Sequence, residues 1–294
     1  MTAAEGFLVR PPISPWREMG AYEALWSDSK TTFKRLADQF RESPDALPSD
    51  LVSSEGIAEA LSQVEQHIEV AGVWDFGIRI HGSLDYPERL RDAAHPVELL
   101  YFRGCWDLID APKRIAVVGS RAVSKHGAAR TRRLVTELVN AQFIIVSGLA
   151  KGVDAIAHRT AIKLGSRTIG VIGTPITDAY PSENAELQEE IARDHLLVSQ
   201  VPIWRYSMQD YRMNRLFFPE RNATMSAIAL ATVIVEASNT SGTLAQARAA
   251  LHQGRKLFIL NNCFEDPNLT WPQRFEAQGA IRVKKIEDII DVLG

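Results

Sequence analysis

The 294 residues are 46% hydrophobic and 23% charged with a net charge of −3, the balance of a globular chain and not of a disordered or fibrous one. No apolar run is long enough for a membrane span, and the first residues lack the basic-then-apolar pattern of a signal peptide. Cys105 and Cys263 lie far apart without metal-ligand spacing, so reduced thiols in a cytoplasmic protein, with no bound metal or cofactor, are expected.

Charge divides the chain. Residues 1–112 hold 10 Lys and Arg against 19 Asp and Glu, whereas residues 113–294 hold 23 against 17, which points to an anionic partner for the second part only. Residues 1–20, with Pro11, Pro12 and Pro15, read as an irregular lead-in. Leu25, Trp26, Phe33, Leu36, Ala37 and Phe40 recur at helical spacing and predict a helix over 21–40. A second helix is expected over 56–70, capped by Ser49 or Ser53. Residues 1–72 thus read as an N-terminal helical region, a support or a partner contact. Residues 73–112 predict strands over 76–80 and 97–102, edge strands for the domain that fills 73–294.

From residue 113 strands and helices alternate, the pattern of a doubly wound, mostly parallel α/β sheet. Strands are expected near 114–118, 143–147, 167–172, 196–199, 232–236, 256–260 and 280–283. Helices are expected near 127–140, 153–164, 183–193, 220–230, 243–253 and 285–293. The organising stretch is Ile115 to Val118, a β-branched run followed at once by Gly119, Ser120 and Arg121. At a strand's carboxyl end such residues either make a plain turn or hold a phosphate on backbone N–H groups and a guanidinium.

Later strands end in similar chemistry. The second core strand runs into Ser147, Gly148, Lys151 and Gly152, with Asp154 as the expected helix cap and His158 as a packing histidine. The third ends in Gly173 and Thr174. The stretch from Trp204 to Arg215 interleaves aromatics with arginines, as a single-stranded nucleic-acid groove does and as a loop packing its own aromatics also does. Ser241, Gly242 and Thr243 open a later helix, as an anion site or a plain cap. Their recurrence along one sheet edge predicts an anion-binding crevice. No Ser–His–Asp set, Gly-x-Gly-x-x-Gly fingerprint or phosphate-binding Gly-Lys-Ser/Thr loop is found.

The ordered series resembles the DNA-processing protein A (DprA, also called Smf) family over roughly residues 76–260. It comprises Tyr86-Pro-Glu-Arg-Leu90, Gly119-Ser-Arg121, Ser147 to Asp154 with Ala157-His158, and Gly173-Thr174 with Asp178, Tyr180, Pro181 and Asn184. Phe218-Pro219 with Arg221-Asn222, Val235-Glu-Ala237, Ser241 to Leu244 and Gly254-Arg255 complete it. The resemblance implies an extended Rossmann-like fold, single-stranded DNA binding, help in loading the RecA recombinase, a role in transformation, and a homodimer. It places Arg121 and Lys151 in the DNA pocket, and the strand-end and motif residues Gly119, Ser120, Ser147, Gly148, Gly152, Gly173, Thr174, Phe218, Arg221, Asn222, Ser241, Gly242 and Thr243 are expected to bind DNA or phosphate beside them.

Three segments depart from the family pattern: Ser199-Gln-Val-Pro202, Arg221 to Ala227, and Asn261 to Pro267. The usual winged-helix domain is not seen within the 294 residues. Two other readings stand beside DNA binding. One is a sensor of a small nucleotide signal in a defence system. The other is a nucleotide phosphoribohydrolase of the lysine-decarboxylase-like group, against which Gln246 counts, because it stands where that group has a catalytic Glu and an amide does not shuttle protons. The apolar stripe Ile286, Ile289, Ile290 and Leu293 is expected either to cover the last strand or to join two copies.

Overall fold

The computed structural model describes residues 12–83 and 85–294; the expectation for residues 1–11, Pro11 included, lies outside them. In chain order the elements are α1 (Pro15–Ser27), α2 (Phe33–Glu42), α3 (Ser54–Ala71), β1 (Gly77–Ile80), β2 (Leu99–Gly104), β3 (Arg114–Val118), α4 (Lys125–Asn140), β4 (Ile144–Ser147), α5 (Val153–Lys163), β5 (Thr168–Ile172) and α6 (Ala185–Asp194). There follow β6 (Leu196–Ser199), α7 (Ile203–Met208), α8 (Tyr211–Asn214), α9 (Phe217–Ile228), β7 (Ala231–Ile234), α10 (Thr243–His252), β8 (Lys256–Leu260), α11 (Asn262–Glu265), α12 (Trp271–Glu276), β9 (Ile281–Val283) and α13 (Glu287–Leu293).

Among the described residues nine strands form one sheet in the order β1-β2-β6-β5-β4-β3-β7-β8-β9. β3 to β9 run parallel; β2 pairs antiparallel with β6, and β1 antiparallel with β2. The chain winds outward from β3 through β4, β5 and β6, then crosses back to lay β7 on the other side of β3. That reversal is a topological switch point, where the connections at the strands' carboxyl ends part and leave a crevice. β3 is buried along its whole length. Ile115 and Val117 pack with Leu134 and Val135 of α4 and Ala157 of α5, while Ala116 and Val118 belong with Met225 of α9 and Leu244 of α10. The alternation follows from the strand's period of two, so both faces are covered.

The expected helix over 21–40 is two helices, and the first begins inside the expected lead-in. Pro15 suits a first helical turn because it has no N–H to leave unsatisfied. The break comes at Asp28 to Thr31: Asp28 Oδ1 accepts from the Lys30 N–H at 2.9 Å, and Thr31 Oγ1 donates to the Leu25 carbonyl at 2.8 Å. Thr32 then caps α2 by accepting from the Arg35 N–H at 3.1 Å. Of the two candidate caps for α3, Ser53 is the one used, accepting from the Gly56 N–H at 3.2 Å.

The stretch read as irregular between Trp204 and Arg215 holds α7 and α8, the latter capped by Asp210, which accepts from the Met213 N–H at 2.9 Å. The N-terminal helices sit against this region. Trp26 and Phe33 meet edge-on at 4.7 Å, as do Phe33 and Phe217, the first residue of α9, at 5.8 Å. In α13, Ile289 is fully buried in the cluster with Phe258 and Val283, and Ile286 and Leu293 pack partly against it.

Candidate nucleic-acid interface

The carboxyl ends of β3 and β7 open into a crevice of about 450 Å³. Its first wall is Gly119, Ser120, Arg121 and Ala122; its second is Ser238, Ser241, Gly242 and Thr243; α9 closes it with Phe218, Arg221 and Asn222. Tight backbone packing sets these walls. A Cβ on Gly119 would lie 2.6 Å from Val153 Cγ2 and 2.9 Å from the Glu236 carbonyl, which accepts the Ser120 N–H at 2.7 Å. Thr243 Oγ1 donates to the Gly119 carbonyl at 3.2 Å and so ties the β7 turn to the β3 turn. Gly242, not a hydroxyl residue, occupies the cap position of α10, and Ser241 Oγ accepts from the Thr243 N–H at 3.2 Å instead.

Phe218 is held between cations. The guanidinium carbons of Arg121 and Arg221 each lie 5.8 Å from its ring centroid, an attraction between charge and ring quadrupole. Gly173 makes room for the ring, since a Cβ there would come within 2.6 Å of it. Two tyrosines stand at the mouth, Tyr180 40% exposed and Tyr211 61% exposed. Arg215 lies 5.9 Å from the Tyr211 ring and also faces the crevice. Exposed flat rings beside guanidinium groups are a surface for stacked bases and their phosphates.

The floor is a buried pair of opposite charges. Arg221 donates through Nη1 to the carbonyls of Gly148 and Val171, both at 2.6 Å, and through Nε to Asn222 Oδ1 at 3.0 Å. Gly148 leaves the space for it: a Cβ there would lie 2.3 Å from Arg221 Nη1. Burial lowers the Arg221 pKa to about 10, so it stays cationic. Asp154 is pushed up to about 6 by burial, partly offset by the Arg221 charge. Asp154 is not the helix cap the sequence predicts. Gly152, with φ +78°, fills that position because its Cβ would otherwise strike the Ser120 carbonyl at 2.2 Å, and Asp154 lies inside α5.

Six of the residues expected to bind DNA or phosphate stand outside the crevice lining. Ser147 is buried and donates to the Val117 carbonyl at 2.7 Å. Gly148, Gly152 and Gly173 act through close approach, as above. Thr174 is buried and donates to the Asp178 carbonyl at 3.0 Å. Lys151 is exposed and ion-paired with Glu183. His158 is fully buried with Nδ1 2.7 Å from Thr168 Oγ1, and desolvation lowers its pKa to about 3, so it is neutral. Gln246 lies on the floor; with its amide turned to suit its neighbours, it donates to the Asn222 carbonyl at 2.5 Å and accepts from Thr232 Oγ1 at 3.2 Å.

The sequence of residues 77–294 matches the family of DNA recombination-mediator protein A. The chain belongs to this family. Relatives in it include the DNA processing protein DprA of Bacillus subtilis, 32% identical over 72% of this chain and 69% of that protein. The DprA of Streptococcus pneumoniae is 35% identical over 70% of each. A crystal structure of the pneumococcal protein superposes with a TM-score of 0.70 at 27% identity, covering 95% of this chain and 98% of that one. A Helicobacter pylori DNA processing protein A, described for a unique single-stranded DNA binding mode, superposes with a TM-score of 0.63 at 26% identity over 74% of this chain and 95% of its own. The DprA-like core thus carries the crevice, and the family match includes every residue that lines it.

Tyr180 and Asp154 belong to the quoted motif series, and Tyr211 and Arg215 to the stretch of alternating aromatics and arginines before α9; all four line the crevice although the sequence does not single them out as pocket residues. Among the described residues no helix is long and apolar enough to cross a membrane, and no group of three or more His, Cys, Asp or Glu is placed to hold a metal ion.

Proposed function

We propose that the crevice binds single-stranded DNA, and that the protein protects such strands and assists RecA loading as a cytoplasmic homodimer. The observation that carries the DNA reading is the meeting of Arg121, Arg215, Phe218, Tyr180 and Tyr211 around one opening at the switch point. Cations take phosphates, exposed rings take bases, and nothing in that set reads a base edge, so binding is weakly sequence-dependent. Membership of the family and the described DNA binding of the H. pylori relative support it. The RecA and dimer readings rest on the family alone. Gln246 on the floor favours binding over hydrolysis.

A crevice of about 450 Å³ also has room for one nucleotide, which keeps a nucleotide-signal sensor as the second reading. Competition decides between them. A labelled oligo-dT held by the protein should be displaced by unlabelled oligo-dT at far lower concentration than by dTMP or a cyclic dinucleotide. Tighter binding of any mononucleotide or dinucleotide than of the oligomer would assign the crevice to a signal.

A further inference from the structure

A second groove opens on the same edge of the sheet, beyond the carboxyl ends of β8 and β9. It is a cavity of about 210 Å³ between α4 and the strand ends, lined by Arg130, Arg133, Lys284 and Lys285 with Asn261 and Asn262. Two carboxylates also line it, and both are engaged: Glu137 accepts from Arg133 Nε at 2.9 Å, and Glu265 accepts from the Asn261 amide. Asp288 lies beside the two lysines and takes their backbone N–H groups, at 2.7 and 3.1 Å. Four cations therefore face three carboxylates; Arg133 is paired with Glu137, and among the described residues Arg130, Lys284 and Lys285 make no ion pair within the groove.

A row of cations on α4 connects the groove with the crevice, past the Glu236 carboxylate, which accepts from the Ser124 N–H and Oγ at 3.0 and 2.7 Å at the start of the helix. α4 leads from one to the other, carrying exposed Lys125, Arg130, Arg132 and Arg133 against a single carboxylate, Glu137. Lys125 stands in the first turn of α4, where a cation opposes the helix macrodipole. The β3, β7, β8 and β9 ends stand side by side, so the two sites lie about 10–15 Å apart at the usual strand spacing. Lys125 to Arg133 spans about 12 Å of helix, roughly three or four phosphates of a stacked strand.

We infer that the strand leaving the crevice crosses α4 and lays its phosphates in this second groove. The inference rests on the DNA reading above. Its test compares short dT6 with dT20, both fluorescein-labelled, on the full chain. The variants are Arg121→Ala, the triple variant Arg130→Ala/Lys284→Ala/Lys285→Ala, and the charge-keeping triple Arg130→Lys/Lys284→Arg/Lys285→Arg, with sedimentation to confirm an unchanged association state. The alanine triple should bind dT6 as wild type does, bind dT20 more weakly, and lower the log–log salt slope for dT20 by about 2, at roughly 0.7 per lost phosphate contact; the charge-keeping triple should restore both. Wild-type affinity and slope for dT20 in the alanine triple, while Arg121→Ala is weakened, would overturn the groove and leave the crevice standing. Equal losses on dT6 and dT20 would make the cations a general field and overturn the track as well. Failure of the wild type to bind either oligomer would overturn both readings.

Discussion

Asp154 is the residue at which burial, charge and binding meet. Its carboxyl is buried beside Arg221 and within the field of Arg121, and burial holds its pKa up at about 6. Above that pH it is an anion on the floor of a crevice read here as taking phosphate; below it the floor loses one negative charge. Affinity for oligo-dT should therefore rise as pH falls from 7 to 5. One unit charge about 10 Å away at an effective dielectric near 20 corresponds to about 1.7 kcal/mol, so roughly tenfold at low salt. Asp154→Asn, which keeps an oxygen to accept the Ala150 N–H, should bind at pH 7 as the wild type does at pH 5 and show a flat profile. Anisotropy titrations across that range check it, and an unchanged slope in the variant would place the titrating group elsewhere.

Among the elements, α1 and α7 are joined through one buried carboxylate. Glu23 accepts from the Tyr101 hydroxyl and from the Ile203 and Trp204 N–H groups, the last two at 2.7 and 3.0 Å. Burial raises its pKa to about 7, so the folded protein holds this proton more tightly than the unfolded chain does. The stability that follows is complete below the unfolded carboxylate value and is lost as pH rises through about 7. Glu23→Gln turns an amide N–H toward one of the donors and leaves it unsatisfied, at about 1–3 kcal/mol. Urea unfolding should thus show the variant less stable at pH 5, with the gap to wild type narrowing toward pH 8; a gap that widened would reverse the sign of the linkage. Element by element, the sequence was most legible where burial is two-sided. The apolar β-branched runs mark every core strand, and Gly119 marks the turn that matters. It was least legible where the deciding contact is remote. Arg221 is expected to meet DNA, yet its buried place depends on the room left by Gly148, far back in the chain, and Lys151 is expected in the pocket, yet Glu183 takes it in an ion pair. α7 and α8 are too short for any periodicity to show, and the break between α1 and α2 hangs on the side-chain bonds of Asp28 and Thr31.

For the whole molecule, the fold explains why one opening gathers residues from distant parts of the chain. The strand order reverses at β3, the turns after β3 and β7 face each other, and α9 brings Phe218 and Arg221 between them while Phe217 fastens the same helix to the N-terminal helices. The central claim is that this opening holds the phosphates of a single strand. The most direct measurement is the salt dependence of oligo-dT affinity for the wild type, Arg121→Ala and Arg215→Ala, each checked for an unchanged melting temperature. Affinity should fall in both variants, and each should reduce the slope of log affinity against log salt by about 0.7, the release expected when one phosphate contact to a single strand is lost. Slopes and affinities equal to the wild type in both variants would contradict the account and remove the strand from the crevice.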